Sequence, residues 1–176
     1  HKKLSTNEIL NRVYELYEHC WSYAQRRGKK IFFEIGTEEQ SGSTNTFEEV
    51  EYTISELTKF CINQKLPKPK FIVLQTGTKV LETRNVGSFD SPLRIKNEIA
   101  SEILIPYMIN ICNKYNIMLK QHNTDYLSDD SLSWMPKLGI GAANVAPEFG
   151  VAETTALLNI TKKYGLLTFL EQFIEK

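Results

Sequence analysis

His122 and Asp125 place an imidazole and a carboxylate in one short run, His122-Asn123-Thr124-Asp125-Tyr126. Imidazole titrates near neutrality, so it can ligate a metal or carry a proton, and a carboxylate beside it can orient the ring. The same run could instead order a loop, with Asp125 capping a turn and His122 facing water. Glu34 comes near the end of the apolar run Ile31-Phe32-Phe33-Glu34-Ile35. A carboxylate buried there would be pushed toward neutrality and could hold a divalent metal or move a proton. Its other reading is a carboxylate paired with Lys120 or with a backbone amide across the barrel. Lys120 in turn could form a Schiff base with a ketose, neutralise Glu34 or bind a sugar phosphate. Gly139, Gly141, Ala142 and Ala143 are small enough to let backbone amides approach a phosphate, or to let a helix and a strand pack closely.

Apolar strands alternating with amphipathic helices must position these groups. Ile9, Val13, Leu16, Tyr17, Cys20 and Ala24 recur at helical steps and predict a helix over 6–27, capped by Ser5 or Thr6 and ended by Gly28. Residues 31–35 read as a buried strand, followed by a polar loop. Asn45 with Glu48 resembles a cap and its partner, opening a helix to Gln64 with Val50, Ile54, Leu57, Phe60 and Cys61 as its stripe. A second strand spans 71–75, and a long loop runs over 76–90. Ser91-Pro92 then reads as a cap with proline at the first helical position. That helix runs to Tyr115 on Ile95, Ile99, Ile103, Met108, Ile111 and Cys112, and Pro106 kinks it. A third strand over 117–121, a short helix over 129–135, a fourth strand over 138–142 and helices over 147–163 and 166–175 complete the chain.

Four strands alternating with helices imply an α/β fold with a parallel sheet and right-handed crossovers. Two architectures fit: a small open doubly wound sheet, or four consecutive units of a barrel. In both, ligand groups gather beyond the carboxyl ends of the strands. That rule selects Glu34 to Glu39, Gln75 to Lys79, Lys120 to Asp125 and Gly141 to Asn144. A half barrel leaves two sheet edges and part of its inner face uncovered, so it needs a partner half, another copy or its missing first half.

The 21 Lys and Arg balance 21 Asp and Glu, which leaves no basic footprint for nucleic acid or an anionic membrane. No apolar run approaches 18 residues and no signal peptide is visible, so a soluble cytoplasmic protein is expected. Cys20, Cys61 and Cys112 each lie in a helical apolar pattern and read as buried free thiols of a reducing compartment. His1-Lys2-Lys3 without an initiator Met reads as a tag remnant followed by part of a longer protein.

At the same four strand ends the chain resembles the tagatose-bisphosphate aldolase non-catalytic (accessory) subunit family. Ile35-Gly36-Thr37-Glu38 matches that family's Ile-Gly-Thr-Glu, and Val73-Leu74-Gln75-Thr76-Gly77 is similar to its Val-Val-Gln-Pro-Gly, with Thr76 where proline is usual. His122-Asn123-Thr124-Asp125-Tyr126 matches its His-Ser-Thr-Asp-Tyr, and Ile140-Gly141-Ala142-Ala143 resembles its Val-Gly-Pro-Ala. Asn144 to Phe149 departs from the family's helix opening. The resemblance implies the C-terminal half of a TIM-type (β/α)8 barrel, strands five to eight, as a single α/β domain over 1–176. It also implies carbohydrate metabolism on a phosphorylated ketose or related sugar. Family members support a separate zinc aldolase subunit, and related proteins are metal-dependent sugar epimerases.

Strand-end placement and the resemblance together name the expected site. Glu38, His122 and Asp125 are its catalytic groups, and Gln75, Lys120, Gly141, Ala142 and Asn144 meet substrate. A divalent metal, zinc or similar, is expected on Glu34 or Glu38 with His122, and Asp125 is expected to orient the imidazole. The expected partners are a sugar or sugar phosphate, a catalytic aldolase subunit and further copies in an oligomer, without nucleic acid or membrane.

Overall fold

The computed structural model describes residues 4–36, 46–91, 96, 99–166 and 168. α1 (Thr6–Arg26) opens with a capping box in which Ser5 N donates to Glu8 Oε2 (2.8 Å) and Glu8 N to Ser5 Oγ (3.3 Å). It closes on Gly28, whose φ of +61° permits the paired bonds Lys29 N to Ala24 O and Gly28 N to Gln25 O. β1 (Glu34–Gly36) follows. α2 (Phe47–Asn63) carries the expected capping box one residue later than predicted, on Thr46 and Glu49. β2 (Phe71–Leu74) leads into an antiparallel hairpin, β3 (Val80–Leu81) and β4 (Arg84–Asn85), where the sequence predicts only loop. α3 (Ser101–Lys114), β5 (Met118–Gln121), α4 (Asp129–Lys137), β6 (Ala142–Ala143) and α5 (Pro147–Lys163) complete the order.

β1, β2, β5 and β6 form one parallel sheet in that order. Successive strand residues point to opposite faces. Ile35, Ile72, Leu74 and Leu119 turn to the face covered by helices, where they meet Tyr17 of α1, Val50, Ile54, Leu57 and Cys61 of α2, Leu104, Ile105 and Met108 of α3 and Met135 of α4. α1 to α4 thus lie on one side of the sheet. A doubly wound sheet is covered on both sides. The arrangement is therefore that of a partial TIM-barrel-like fold, an α/β architecture of four parallel strands alternating with helices. The opposite, open face carries Glu34, Gly36, Phe71, Val73, Met118, Lys120 and Ala142.

Several expectations give way to tertiary context. The strand expected as buried over 31–35 is shorter and lies at the sheet edge, with Phe32 70% exposed, because β1 has a single neighbour. The helix expected from Ser91 begins at Ser101, and Ser91 and Ile99 are not helical. Pro92 and Ile95 lie outside the described residues. Ile103 faces out while Leu104, Ile105, Met108 and Cys112 face in. That segment is apolar on every side, so periodicity leaves its phase open. The strand expected over 138–142 is β6 instead, since Leu138 to Ile140 terminate α4: Gly139 N donates to Pro136 O and Ile140 N to Met135 O around a Gly139 φ of +89°. Cys20 is exposed, contrary to expectation, while Cys61 and Cys112 are buried. Of the helix expected over 166–175, only Leu166 and Thr168 are among the described residues. No helix among the described residues is long and apolar enough to cross a membrane.

Candidate functional site

The strand ends form a polar rim above the apolar sheet. On the helix side, Thr76 Oγ1 donates to Gln121 Oε1, Gln121 Nε2 to Thr78 Oγ1 (3.0 Å), and Thr78 Oγ1 to the His122 carbonyl. Gln121, Thr76 and Thr78 are fully buried. A buried amide is costly unless both its ends are bonded, and this chain of donors satisfies Gln121 at each. It also ties the end of β2 to the end of β5.

On the open side of the same rim, one ring nitrogen of His122, Nδ1, lies 2.8 Å from Gln75 Oε1, which also accepts from Asn123 Nδ2 (3.4 Å). A carbonyl oxygen only accepts, so with the Gln75 amide in this orientation Nδ1 is the donor of this contact. The ladder continues beneath it, with His122 N donating to Leu74 O. Gln75, expected to touch substrate, thus orients the imidazole.

Asp125 has another partner set from the one expected. Its Oδ1 accepts from Ala146 N and Glu148 N, both at 2.9 Å, in the first turn of α5. Glu148 Oε2 answers by accepting from Tyr126 N (2.8 Å). Ala146, the residue before α5, has no side chain able to cap it, so the carboxylate does so from across the rim. Asp125 is 3% exposed and its hydrogen bonds run to α5 rather than to His122. Tyr126 beside it has a φ of +58°, a rare conformation for so large a side chain. Its phenol oxygen is buried without a hydrogen-bond partner among the described residues, and burial together with the Asp125 and Glu148 carboxylates pushes its pKa up.

Lys120 Nζ lies 2.7 Å from Glu34 Oε2 on the open face. The ion-pair reading of both residues is the one the structure contains, and the burial on which proton transfer by Glu34 depended is absent at an edge strand. Register also separates Glu34 from His122. Glu34 aligns with Phe71 and Phe71 with Met118, so His122 stands four residues, about 13 Å, further along the strand direction. Those two residues do not fit one metal. Among the described residues no group of three or more His, Cys, Asp or Glu could hold a metal ion. Glu38 lies outside the described residues.

The small residues of the fourth strand end serve packing. A Cβ on Gly141 would stand 3.0 Å from Met118 Cβ. Ala142 pairs with Lys120, and Asn144 uses its backbone: Asn144 N donates to Gln121 O, and its carbonyl accepts from Thr124 N (3.0 Å) and Thr124 Oγ1 (2.6 Å). Gly77 has a φ of +94° and passes so close to Ser101 that a Cβ would meet its Oγ at 2.2 Å. Sequence reasoning selected Thr78 only within the segment Gln75 to Lys79 and missed Asn85 and Glu148; each of the three bonds a rim residue from far along the chain. Only Glu148, in the first turn after Pro147, carries a local signal.

No family model and no curated protein matches the chain. Among solved structures it is similar to the crystal structure of a glycerol-complexed fructuronate-tagaturonate epimerase from Cohnella laeviribosi, with a TM-score of 0.56 and 16% identity. The match covers 94% of this chain and 32% of that one, so the chain spans about a third of the epimerase's length. What the two share is the fold.

Proposed function

We propose that this chain is the half of a barrel, strands five to eight, that carries part of a sugar-binding rim, and that the protein acts in carbohydrate metabolism as an epimerase or isomerase of a ketose or keto-uronate. One observation carries this reading: His122 is held at the rim, its Nδ1 2.8 Å from Gln75 Oε1, so the imidazole is oriented by a neighbouring strand end. Epimerisation beside a carbonyl needs a group that takes a proton from carbon and returns it, and neutral imidazole does so near pH 7. The base takes the proton, the electron pair of the C–H bond moves into the carbonyl as an enediolate, and a proton is then delivered to the opposite face of that carbon for epimerisation, or by the same base to the neighbouring carbon for isomerisation. The fold likeness to a sugar epimerase supports the substrate class. A metal on Glu34 and His122 is not part of this reading. Any metal at His122 would draw its remaining ligands from elsewhere, with Glu38 a candidate.

The test is deuterium exchange. Full-length protein with ketohexoses and keto-uronates in D2O is expected to wash deuterium into the carbon beside the carbonyl, and His122→Ala to slow it at least about a hundredfold. Unchanged exchange in that variant would remove His122 from the chemistry.

A second reading is favoured by a different observation. Thr124 and Asp125 of the His-Asn-Thr-Asp-Tyr run are bonded to backbone of the neighbouring loop, so most of the motif builds structure. That suits an accessory barrel of the tagatose-bisphosphate aldolase type acting on a partner subunit. Protein inert alone but raising the activity or lifetime of an added aldolase subunit would select it.

A further inference from the structure

Asn85, at the end of β4, makes four hydrogen bonds with its side chain. Oδ1 accepts from Lys79 N and Gly87 N, both at 3.2 Å, within its own hairpin. Nδ2 donates to Asn123 O (2.9 Å) and Asp125 O (3.0 Å), in the loop that follows β5. This is the full capacity of a carboxamide, two donors and two acceptors. The two carbonyls it holds lie within a stretch bounded by two positive-φ residues, Asn123 (φ +52°) and Tyr126 (φ +58°). Positive φ costs free energy at a non-glycine residue and persists only where the surroundings enforce it. Thr78 Oγ1, from the same hairpin segment, holds the His122 carbonyl.

We infer that Asn85 is a positioning residue, a latch that joins the loop after β2 to the loop after β5 and thereby sets His122 on Gln75. The hairpin half of its bonds shapes the β2 loop, which begins with Gln75. The other half pins the backbone from Asn123 to Asp125, immediately after His122. Both partners of the His122–Gln75 bond are thus referred to one side chain. The latch is a matter of geometry and holds whatever the reaction is; its effect on turnover rests on the proton-transfer reading of His122.

Asn85→Asp separates the two halves. It keeps an acceptor for Lys79 N and Gly87 N but turns an oxygen toward the carbonyls of Asn123 and Asp125, whereas Asn85→Ala loses both sets. If Asn85 is a latch, Asn85→Asp resembles Asn85→Ala: the Nδ1–H of His122, followed by nitrogen-15 NMR, exchanges with water at least about tenfold faster than in wild type. If it merely shapes the hairpin, Asn85→Asp keeps the wild-type ring signal, and the inference is overturned. Wild-type protein gives a check independent of any variant's folding. The Asn85 side-chain amide protons should exchange at least about tenfold more slowly than those of solvent-exposed Asn and Gln; equal rates would also overturn the latch. A changed ring signal in protein that never exchanges sugar deuterium would leave the latch standing and reject the epimerase reading, so the two fail separately.

Discussion

At the scale of single residues, the polar groups of the rim divide into those that hold loops and those that face the open side. Asp125 holds a helix. Asp125→Ala should cost about 1–3 kcal/mol in urea unfolding, as expected for loss of a buried charged cap, while His122→Ala should cost little. Equal stability of Asp125→Ala and wild type would contradict the cap. Two tyrosines make a matched pair. Tyr17 Oη donates to Pro67 O at 2.7 Å, so Tyr17→Phe should lose about 1 kcal/mol. The Tyr126 hydroxyl is buried and has no partner among the described residues, so Tyr126→Phe should be neutral or slightly stabilising. Burial pushes the Cys112 thiol up to about 12. An acid whose pKa is raised on folding contributes its stability fully below the unfolded pKa, near 8.5 for a thiol, and loses it as pH rises toward the folded value. Stability should therefore fall between about pH 8.5 and 12, and Cys112→Ala should flatten that slope. At neutral pH a thiol reagent should label exposed Cys20 in native protein and reach Cys61 and Cys112 only on unfolding.

At the scale of elements, the hairpin of β3 and β4 decides how the rim is assembled. It packs back on the chain at Gly87, where a Cβ would meet Gly77 O at 2.2 Å and Lys79 N at 2.7 Å. Those are backbone atoms with no rotamer to yield. Gly87→Ala should destabilise by about 1–3 kcal/mol or more and broaden the resonances of Asn123 to Tyr126. A variant with wild-type stability would mean the hairpin can move as a unit. The helices show how legible elements were. α1 and α2 are marked by capping boxes and α5 by Pro147 at its start, all local signals. α3 lacks a side-chain cap, so nothing local marks its start at Ser101. β6 has two residues, too few for any period to register.

At the scale of the whole molecule, surface is the dominant fact. Apolar surface is left exposed at several places among the described residues. It matches the architecture: β1 and β6 are unpaired edges, α1 presents Ile9, Leu16 and Tyr23 to solvent, α5 presents Phe149, Leu157 and Ile160, and Met118 is 37% exposed on the open face. An eight-stranded ring would pair both edges and enclose the open face that carries Met118. This 176-residue chain alone should therefore self-associate in sedimentation velocity and bind a dye for exposed apolar surface. A complementary set of four βα units, supplied in one polypeptide, should abolish both. A well-behaved compact monomer would count against the half-barrel reading.

The sequence by itself determined what depends on near neighbours: where strands and helices alternate, where α1 and α2 are capped to within one residue, and that polar residues cluster beyond the apolar strands. These follow from periodicity and from hydrogen bonds spanning three or four residues. The tertiary structure alone decided what each polar group is for. Gln75 meets His122, Asp125 meets Ala146 and Glu148, and Asn85 meets Asn123 and Asp125 across about twenty to fifty intervening residues, and His122, Asp125 and their neighbours could have been drawn as a catalytic pair until those partners were in place. A carboxylate reads the same in sequence whether it orients an imidazole or caps a helix, because its role is set by the donors that folding brings to it.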